Sequence, residues 1–334
     1  MRQAWYTQTG PAREVLRVGD VAEPVAGPGE VLLRIRASGI NPSDHKQRAG
    51  FGGSTVPNGR VVPHSDGAGL VQAVGEGVDP SWKGRRVWVW NARGGAFYGF
   101  SNGPEVGTAS ELIALPLAYV AALPDNVDFA EGACLGAPAA TAHYAVFADG
   151  NVRGQTVLVH GGAGAVGELC VQFASAGGAR VIATVSSAAK ARVAQRAGAH
   201  HVIDYHTEDV AARVQALCPD GVDRIVEVDF AANIEVDAAV IRQNGTIASY
   251  SSPSNRQPVL PYYQLQFKGA TVRFIQGYTL PPAAQALALK EIAEAAAAGW
   301  LRPTIAGRFP LDEIAAAHEL VGSGTAIGNV VLTL

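Results

Sequence analysis

The sequence predicts an α/β protein in two parts, a barrel of short strands followed by a doubly wound parallel sheet. Three observations predict it. Residues 1–125 carry short apolar runs punctuated by Gly and Pro, the pattern of short strands and turns. From about residue 130, continuous apolar runs alternate with helical stretches, as in a parallel sheet covered on both faces. A glycine-rich turn follows the first of these runs and opens a helix, where such a sheet places a nucleotide site.

In chain order, the first part offers VLLRIRASGI, AGLVQAVGEGV, RRVWVWN and ELIALP as strands. In the second, TVLVHG (156–161) is a strand and AVGELCVQFASAGG its helix; RVIATV (180–185) is the next strand and AAKARVAQRAGA the next helix. HHVIDY, DRIVEV, GTIASY and TVRFIQ bring the series to six strands. That number makes a doubly wound nucleotide-binding domain. Residues 276–334 then supply an Ala-rich helix (ALALKEIAEAAAAG), a second helical stretch (LDEIAAAHELV) and a last strand (NVVLTL). Because the sixth strand already closes the sheet, this segment is expected to complete the first domain. The expected division is 1–125 with 276–334, and 126–275 for the nucleotide-binding domain.

Composition bounds the function. The chain has 334 residues, 48% of them hydrophobic and 16% charged, enough for two apolar cores. A net charge of −3 without blocks of like charge argues against nucleic acid or anionic lipid as partners. MRQAWYTQTG lacks the apolar run of a signal peptide, and no long apolar stretch predicts a membrane span. The three cysteines, Cys134, Cys170 and Cys218, are scattered and odd in number. They read as reduced, buried thiols, and the expected location is cytoplasmic.

The turn after the first parallel strand reads Gly162-Ala163-Gly164-Ala165-Val166-Gly167. Its first glycine permits the tight turn, its second lets a pyrophosphate approach the backbone, and its third lets the helix pack on the strand. The N–H groups at the start of the helix then face the phosphates. About 20 residues on, a site for NAD places an acid against the ribose hydroxyls. Here no acid occurs between Glu168 and Asp204; the second strand ends in Val185, Ser186 and Ser187, with Lys190 beyond. Two hydroxyls and an ammonium suit the 2′-phosphate of NADPH, at roughly 1.5–3 kcal/mol per charge-assisted bond. Lys190 also falls in the first turn of its helix, where the dipole disfavours a cation unless an anion sits beside it. The competing reading is a solvated lysine on an exposed helix.

Taken in order, ASGINPSDHKQRAG (37–50), PHSDGAGLVQAVGEGV (63–78), GRRVWVW (84–90), LPDNVDFAEGACLGAPAATAHYAV (123–146), VLVHGGAGAVG (157–167) and RVIATVSSAAKARVAQRAGAHHVIDY (180–205) resemble the zinc-independent medium-chain dehydrogenase/reductases of the quinone oxidoreductase (zeta-crystallin-like) group. The resemblance spans essentially the whole chain. It implies a GroES-like barrel domain, a Rossmann domain, a cleft between them and a homodimer. Zinc-dependent relatives carry Cys where this chain has Asn41 and His where it has Ser65, and the segment after RVWVW lacks their four-cysteine lobe. Tetrahedral zinc needs such ligands, so no metal is expected.

Without a metal to polarise an alcohol, hydride transfer from NADPH to a quinone or an α,β-unsaturated carbonyl is the simpler chemistry. Asn41 is the candidate to orient the substrate carbonyl or the nicotinamide; the alternative is a turn residue before Pro42. The resemblance puts Thr141 beside the nicotinamide; the alternative is a cap on the helix that follows. Lys46 stands where quinone-reductase relatives often have Tyr, two residues before Arg48, and is a candidate donor to an enolate. Asp44 and Arg48, spaced i, i+4, read as a structural ion pair. By resemblance Tyr205 reaches the 2′-phosphate, Tyr250 and Ser251 lie on the adenosine side, Phe274 presents backbone to the nicotinamide amide, and Asn329 replaces a more usual Lys. Phe97, Tyr98 and Phe100, in the Gly-rich 94–107 segment, are candidates to line the cleft or to anchor that loop. The expected function is an NADPH-dependent reductase of quinones or enones. The rivals are an enoyl-thioester reductase and an NADPH-binding regulatory protein with little turnover.

Overall fold

A computed structural model describes residues 1–95 and 99–334. Seven strands come first: β1 (Arg2–Trp5), β2 (Arg17–Asp20), β3 (Glu30–Ile40), β4 (Asp66–Val74), β5 (Arg86–Val89), β6 (Leu112–Pro116) and β7 (Val120–Ala122). Six follow: β8 (Thr156–Val159), β9 (Arg180–Val185), β10 (His201–Asp204), β11 (Val222–Glu227), β12 (Ile241–Ser249) and β13 (Thr271–Phe274). Strands β14 (Ile305–Pro310) and β15 (Asn329–Thr333) end the chain. The chain divides into two units, Met1–Ala140 with Gln285–Leu334, and Thr141–Ala284. Both divisions fall inside helices, Ala137–Phe147 and Pro282–Ala297, later in the chain than residues 125 and 275.

The first unit is organised by β3. Its eleven residues alternate Val31, Leu33 and Ile35 inward with Arg34 and Arg36, and they pair with β4, β6 and β15, all antiparallel. The sheet runs β14-β15-β3-β4-β5-β7, so the last two strands join the sheet begun by the first part of the sequence. Val31, Leu33, Ile35, Val71, Val87, Val89, Ile113 and Leu115 form one buried core. Each such side chain contributes about 1.5–3 kcal/mol relative to exposure. A second cluster, around Tyr6, Ile40, Val61, Ile314 and Val330, packs the C-terminal helix Ile314–Gly322 on the same unit.

The second unit is a six-stranded sheet of order β10-β9-β8-β11-β12-β13, every pair parallel. This is the doubly wound Rossmann order, with the order reversing beside β8. Strand-forming residues without polar alternation, such as Val157, Leu158 and Val159, are fully buried because helices cover both faces. Reversal at β8 puts the turn that follows it at the topological switch point, where dinucleotides bind.

Candidate functional site

In the Rossmann unit the turn after β8 leads into the helix Gly167–Ala176. Packing explains two of its glycines. A Cβ on Gly162 would stand 2.7 Å from the Cβ of Ala183, and one on Gly167 would overlap the carbonyl oxygen of Gly161. Gly164 differs: a Cβ there would meet only the Gly161 oxygen, at 3.4 Å. Nothing inside the protein demands glycine at 164, so its bareness suits the close approach of a ligand to the backbone. Ala163, Ala165 and Val166 complete the turn.

The edge after β9 is built from its own side chains. Ser187 is the N-cap of the helix Ala188–Arg196, its Oγ accepting from the Lys190 N–H at 3.3 Å. A hydroxyl that accepts here keeps its own O–H to donate. The Lys190 ammonium reaches back along the first turn and donates to Ser186 Oγ at 3.0 Å. A cation is thus held at the positive end of a helix, where an anion beside it relieves the dipole penalty. Tyr205 follows β10, exposed, its ring 4.6 Å from that of His206. Tyr250 and Ser251 follow β12, and the Tyr250 N–H donates to the Glu227 carbonyl at 3.1 Å. Phe274 ends β13, exposed, edge-on to Phe230 at 5.5 Å. A turn open at Gly164, no acid after β9 and a serine–lysine pair there instead fit NADPH.

Thr141 lies inside the helix Ala137–Phe147, so the alternative of a cap does not hold. It is nearly buried, and a Cβ on Gly277 would collide with its Oγ1. Gly277 therefore makes room for this hydroxyl, a pairing that nothing local in the sequence signals.

In the first unit Asn41 is the N-cap of the helix Pro42–Arg48, and its Nδ2 donates to Asp66 Oδ2 at 2.7 Å. It is thus more than a turn residue. Asp66, wholly buried, also accepts from the Ala137 N–H at 2.9 Å and the Asn91 N–H at 3.2 Å. Burial pushes its carboxyl up to about 7, against the pull of these donors. The Asp66 carboxylate fixes the plane of the Asn41 amide and leaves one amide N–H for another acceptor. Lys46 places its ammonium 5.4 Å from the centre of the Phe51 ring. Asn329 opens β15, buried, its backbone N–H donating to the Thr304 carbonyl at 2.8 Å.

The expected Asp44–Arg48 ion pair does not form. Asp44 pairs with Arg93 at 2.8 Å, both nearly fully buried, and Arg48 turns instead to the Gly10 carbonyl and to His45. The i, i+4 rule holds for exposed helix faces, whereas this face packs inward, and a long-range partner wins. Arg93 also donates to Ser65 Oγ, at 2.9 Å, and to Gln47. Asn41 thus faces a carboxylate and Ser65 a guanidinium cation. His64 spends Nδ1 on Ser38 and Nε2 on His318, and burial pushes its pKa down to about 3. Phe97 and Tyr98 lie outside the described residues; Phe100 stacks 5.6 Å from Arg93.

A family model for the alcohol dehydrogenase GroES-like domain matches residues 27–125, and one for zinc-binding dehydrogenases matches residues 165–294. A quinone oxidoreductase of Lama guanicoe is 32% identical over 333 residues, 96% of this chain and 94% of that protein. A mycobacterial protein solved in complex with NADPH is 29% identical and superposes with a TM-score of 0.86 over 100% of both chains. A solved NAD-dependent alcohol dehydrogenase is 27% identical, with a TM-score of 0.87 over 100% of both chains. Fold and comparisons together define a medium-chain dehydrogenase/reductase, a GroES-like domain joined to a Rossmann domain. Within that class, the chain belongs to the quinone oxidoreductase family.

Proposed function

We propose that this oxidoreductase uses NADPH to reduce quinones or α,β-unsaturated carbonyls, and that it does so without a metal. The observation that carries the reading is the edge after β9, where Ser186, Ser187 and Lys190 stand in place of an acid. NADPH, when bound, supplies a hydride; a quinone that takes up this hydride and one proton becomes a hydroquinone. The residues of this chain bind and orient. The turn 162–167 takes the pyrophosphate, and the serines and Lys190 take the 2′-phosphate. Tyr205, Tyr250 and Ser251 flank the adenosine, and the backbone of Phe274 and the Thr141 hydroxyl bind the nicotinamide. Asn41, oriented by Asp66, donates to the acceptor oxygen as charge develops on it, and Lys46 is a second donor. Asn329 is assigned to the cofactor by resemblance.

The metal-free reading is supported by the hydrogen bonds of Asn41 and Ser65, which face them toward a carboxylate and a buried guanidinium. Steady-state oxidation of NADPH with 1,2- and 1,4-quinones and short enones tests both parts. Turnover with at least one of these acceptors is expected, at a rate that EDTA or phenanthroline leaves unchanged. Inhibition reversed by zinc would contradict the metal-free reading; tight NADPH binding without turnover of any acceptor would favour a regulatory protein.

We also read the protein as a homodimer in the cytoplasm. Supporting the dimer, Val259, Tyr262, Tyr263, Phe267 and Phe274 are exposed on the side of the Rossmann sheet that ends in β13, which pairs with β12 alone among the described residues. An open strand edge beside aromatic side chains is a ready pairing surface. Light scattering after size exclusion is expected to give twice the 34.6 kDa chain mass. A monomer at micromolar concentration would contradict it. No helix among the described residues is long and apolar enough to cross a membrane.

A further inference from the structure

Under the glycine-rich turn lies a buried cluster that the proposed chemistry does not use. His160 is the residue between β8 and Gly161. Its Nε2 lies 3.0 Å from Asp237 Oδ1 and 3.7 Å from Glu227 Oε2, and its Nδ1 lies 3.2 Å from Thr184 Oγ1. Its backbone N–H donates to the Val226 carbonyl at 3.0 Å. Thr184 belongs to β9 and Glu227 to β11, the two strands that flank β8, and Asp237 comes from the helix Phe230–Val240. One imidazole therefore ties together the carboxyl ends of three adjacent strands and a covering helix.

The same ties reach the turn. Thr184 Oγ1 accepts from the Gly161 N–H at 3.2 Å, and the Thr184 carbonyl accepts from the Gly162 N–H at 3.0 Å. The first two N–H groups of the turn thus hang on Thr184, which His160 anchors from the other side. Glu227 is itself fixed, its Oε1 accepting from the Asp229 N–H and from Asn233 Nδ2.

Burying three titratable groups is costly, and Glu227 Oε2 and Asp237 Oδ2 find no hydrogen-bond partner among the described residues. Apolar residues of similar volume would pack here at lower cost. Burial opposes charge on His160, yet Glu227 and Asp237 outweigh it and raise its pKa above the usual value. The two ring nitrogens meet partners on opposite sides, Nε2 at Asp237 Oδ1 and Nδ1 at Thr184 Oγ1, so the ring is held at both edges. The return on this cost is position: a turn held in its binding shape loses less freedom when the pyrophosphate arrives.

We propose that His160 is a positioning residue for the dinucleotide, fixing the turn 161–164 through Asp237, Glu227 and Thr184 without touching the cofactor. This rests on the reading of that turn as the pyrophosphate site. It predicts a defect common to both nicotinamide cofactors, because the pyrophosphate is common to both.

The test compares the native protein with His160→Ala, His160→Gln and Asp237→Asn. Kd for NADPH and NADH is read by fluorescence titration, kcat with 1,4-naphthoquinone, folding by circular dichroism, and bound metal by mass spectrometry. His160→Ala is expected to weaken both cofactors by the same factor, about tenfold, with kcat at saturating NADPH within about twofold of native. His160→Gln, which keeps a donor toward Asp237, recovers part of the loss. If His160→Ala does not fold, Asp237→Asn gives the same reading. Folded variants with native Kd values would overturn the inference, as would a loss confined to NADPH. So would a stoichiometric divalent metal in the native protein that His160→Gln releases, since these three side chains lie close enough to hold one. A native protein that binds neither dinucleotide would sink this inference together with the reading beneath it.

Discussion

Replacing Lys190 with alanine is expected to raise KM for NADPH by roughly 10- to 100-fold while leaving NADH within about twofold, since one charge-assisted bond is lost to one cofactor only. The magnitude follows from the site. The ammonium is held 3.0 Å from Ser186 Oγ, beside the first turn of its helix. A 2′-phosphate placed there meets a cation already oriented, a serine O–H and the positive helix end together. The lysine sits against the positive end of its helix, where the dipole disfavours a cation, so its loss should not weaken folding. Ser186→Asp is the complementary change. It adds a carboxylate that repels a phosphate and can accept from ribose hydroxyls, and it should turn the preference toward NADH. Steady-state kinetics with both cofactors checks both variants. An equal loss for NADPH and NADH in Lys190→Ala would remove Lys190 from the 2′-phosphate site.

Asp44→Ala is expected to cost the first unit about 3–5 kcal/mol, because it leaves the Arg93 guanidinium buried without its counter-charge. Asp44 is fully buried, and burial pushes its carboxyl up even as Arg93 pulls against that shift. Its second oxygen accepts the Asn41 N–H at 2.8 Å, so the variant also loosens the start of the helix Pro42–Arg48. A fall in Tm on the order of 10 °C should follow for a domain of this size. Changing both residues together, Asp44→Leu with Arg93→Met, should cost less than the sum of the single changes, because no unpaired charge remains. Thermal unfolding of the native protein, Asp44→Ala, Asp44→Leu, Arg93→Met and the double variant measures this. A loss below about 1 kcal/mol in Asp44→Ala would mean that solvent reaches the pair as it reaches surface bridges.

The parts of the protein legible in its sequence are those that local pattern dictates. Val157, Leu158 and Val159 read as a strand because both faces are covered, and the spacing of Gly162, Gly164 and Gly167 reads as a turn because the first and last have local steric tasks and the middle one leaves the backbone open. Ser186, Ser187 and Lys190 could be placed together because they share one strand end and one helical turn. Contacts made across the fold were not legible. Asp44 was matched to Arg48 by helical spacing, but its partner lies on the segment after β5. That Asp66 orients Asn41, that Gly277 makes room for Thr141, and that His160 meets Glu227 and Asp237 all depend on strand order and helix packing. No spacing along the chain encodes them. An acid at the end of an apolar strand, such as Asp66 or Glu227, is the one signal that could have pointed to a partner elsewhere, since a buried acid must be satisfied by something.

Which dinucleotide the Rossmann unit selects decides between an NADPH site and an NADH site at the edge after β9. Equilibrium titration of the native protein with NADPH and NADH, followed by fluorescence at low ionic strength, measures this without any substrate or turnover. NADPH is expected to bind at least tenfold more tightly, with the difference shrinking as salt screens the phosphate. Equal affinities, or tighter binding of NADH, would contradict the assignment of the Ser186–Lys190 edge and the NADPH chemistry built on it.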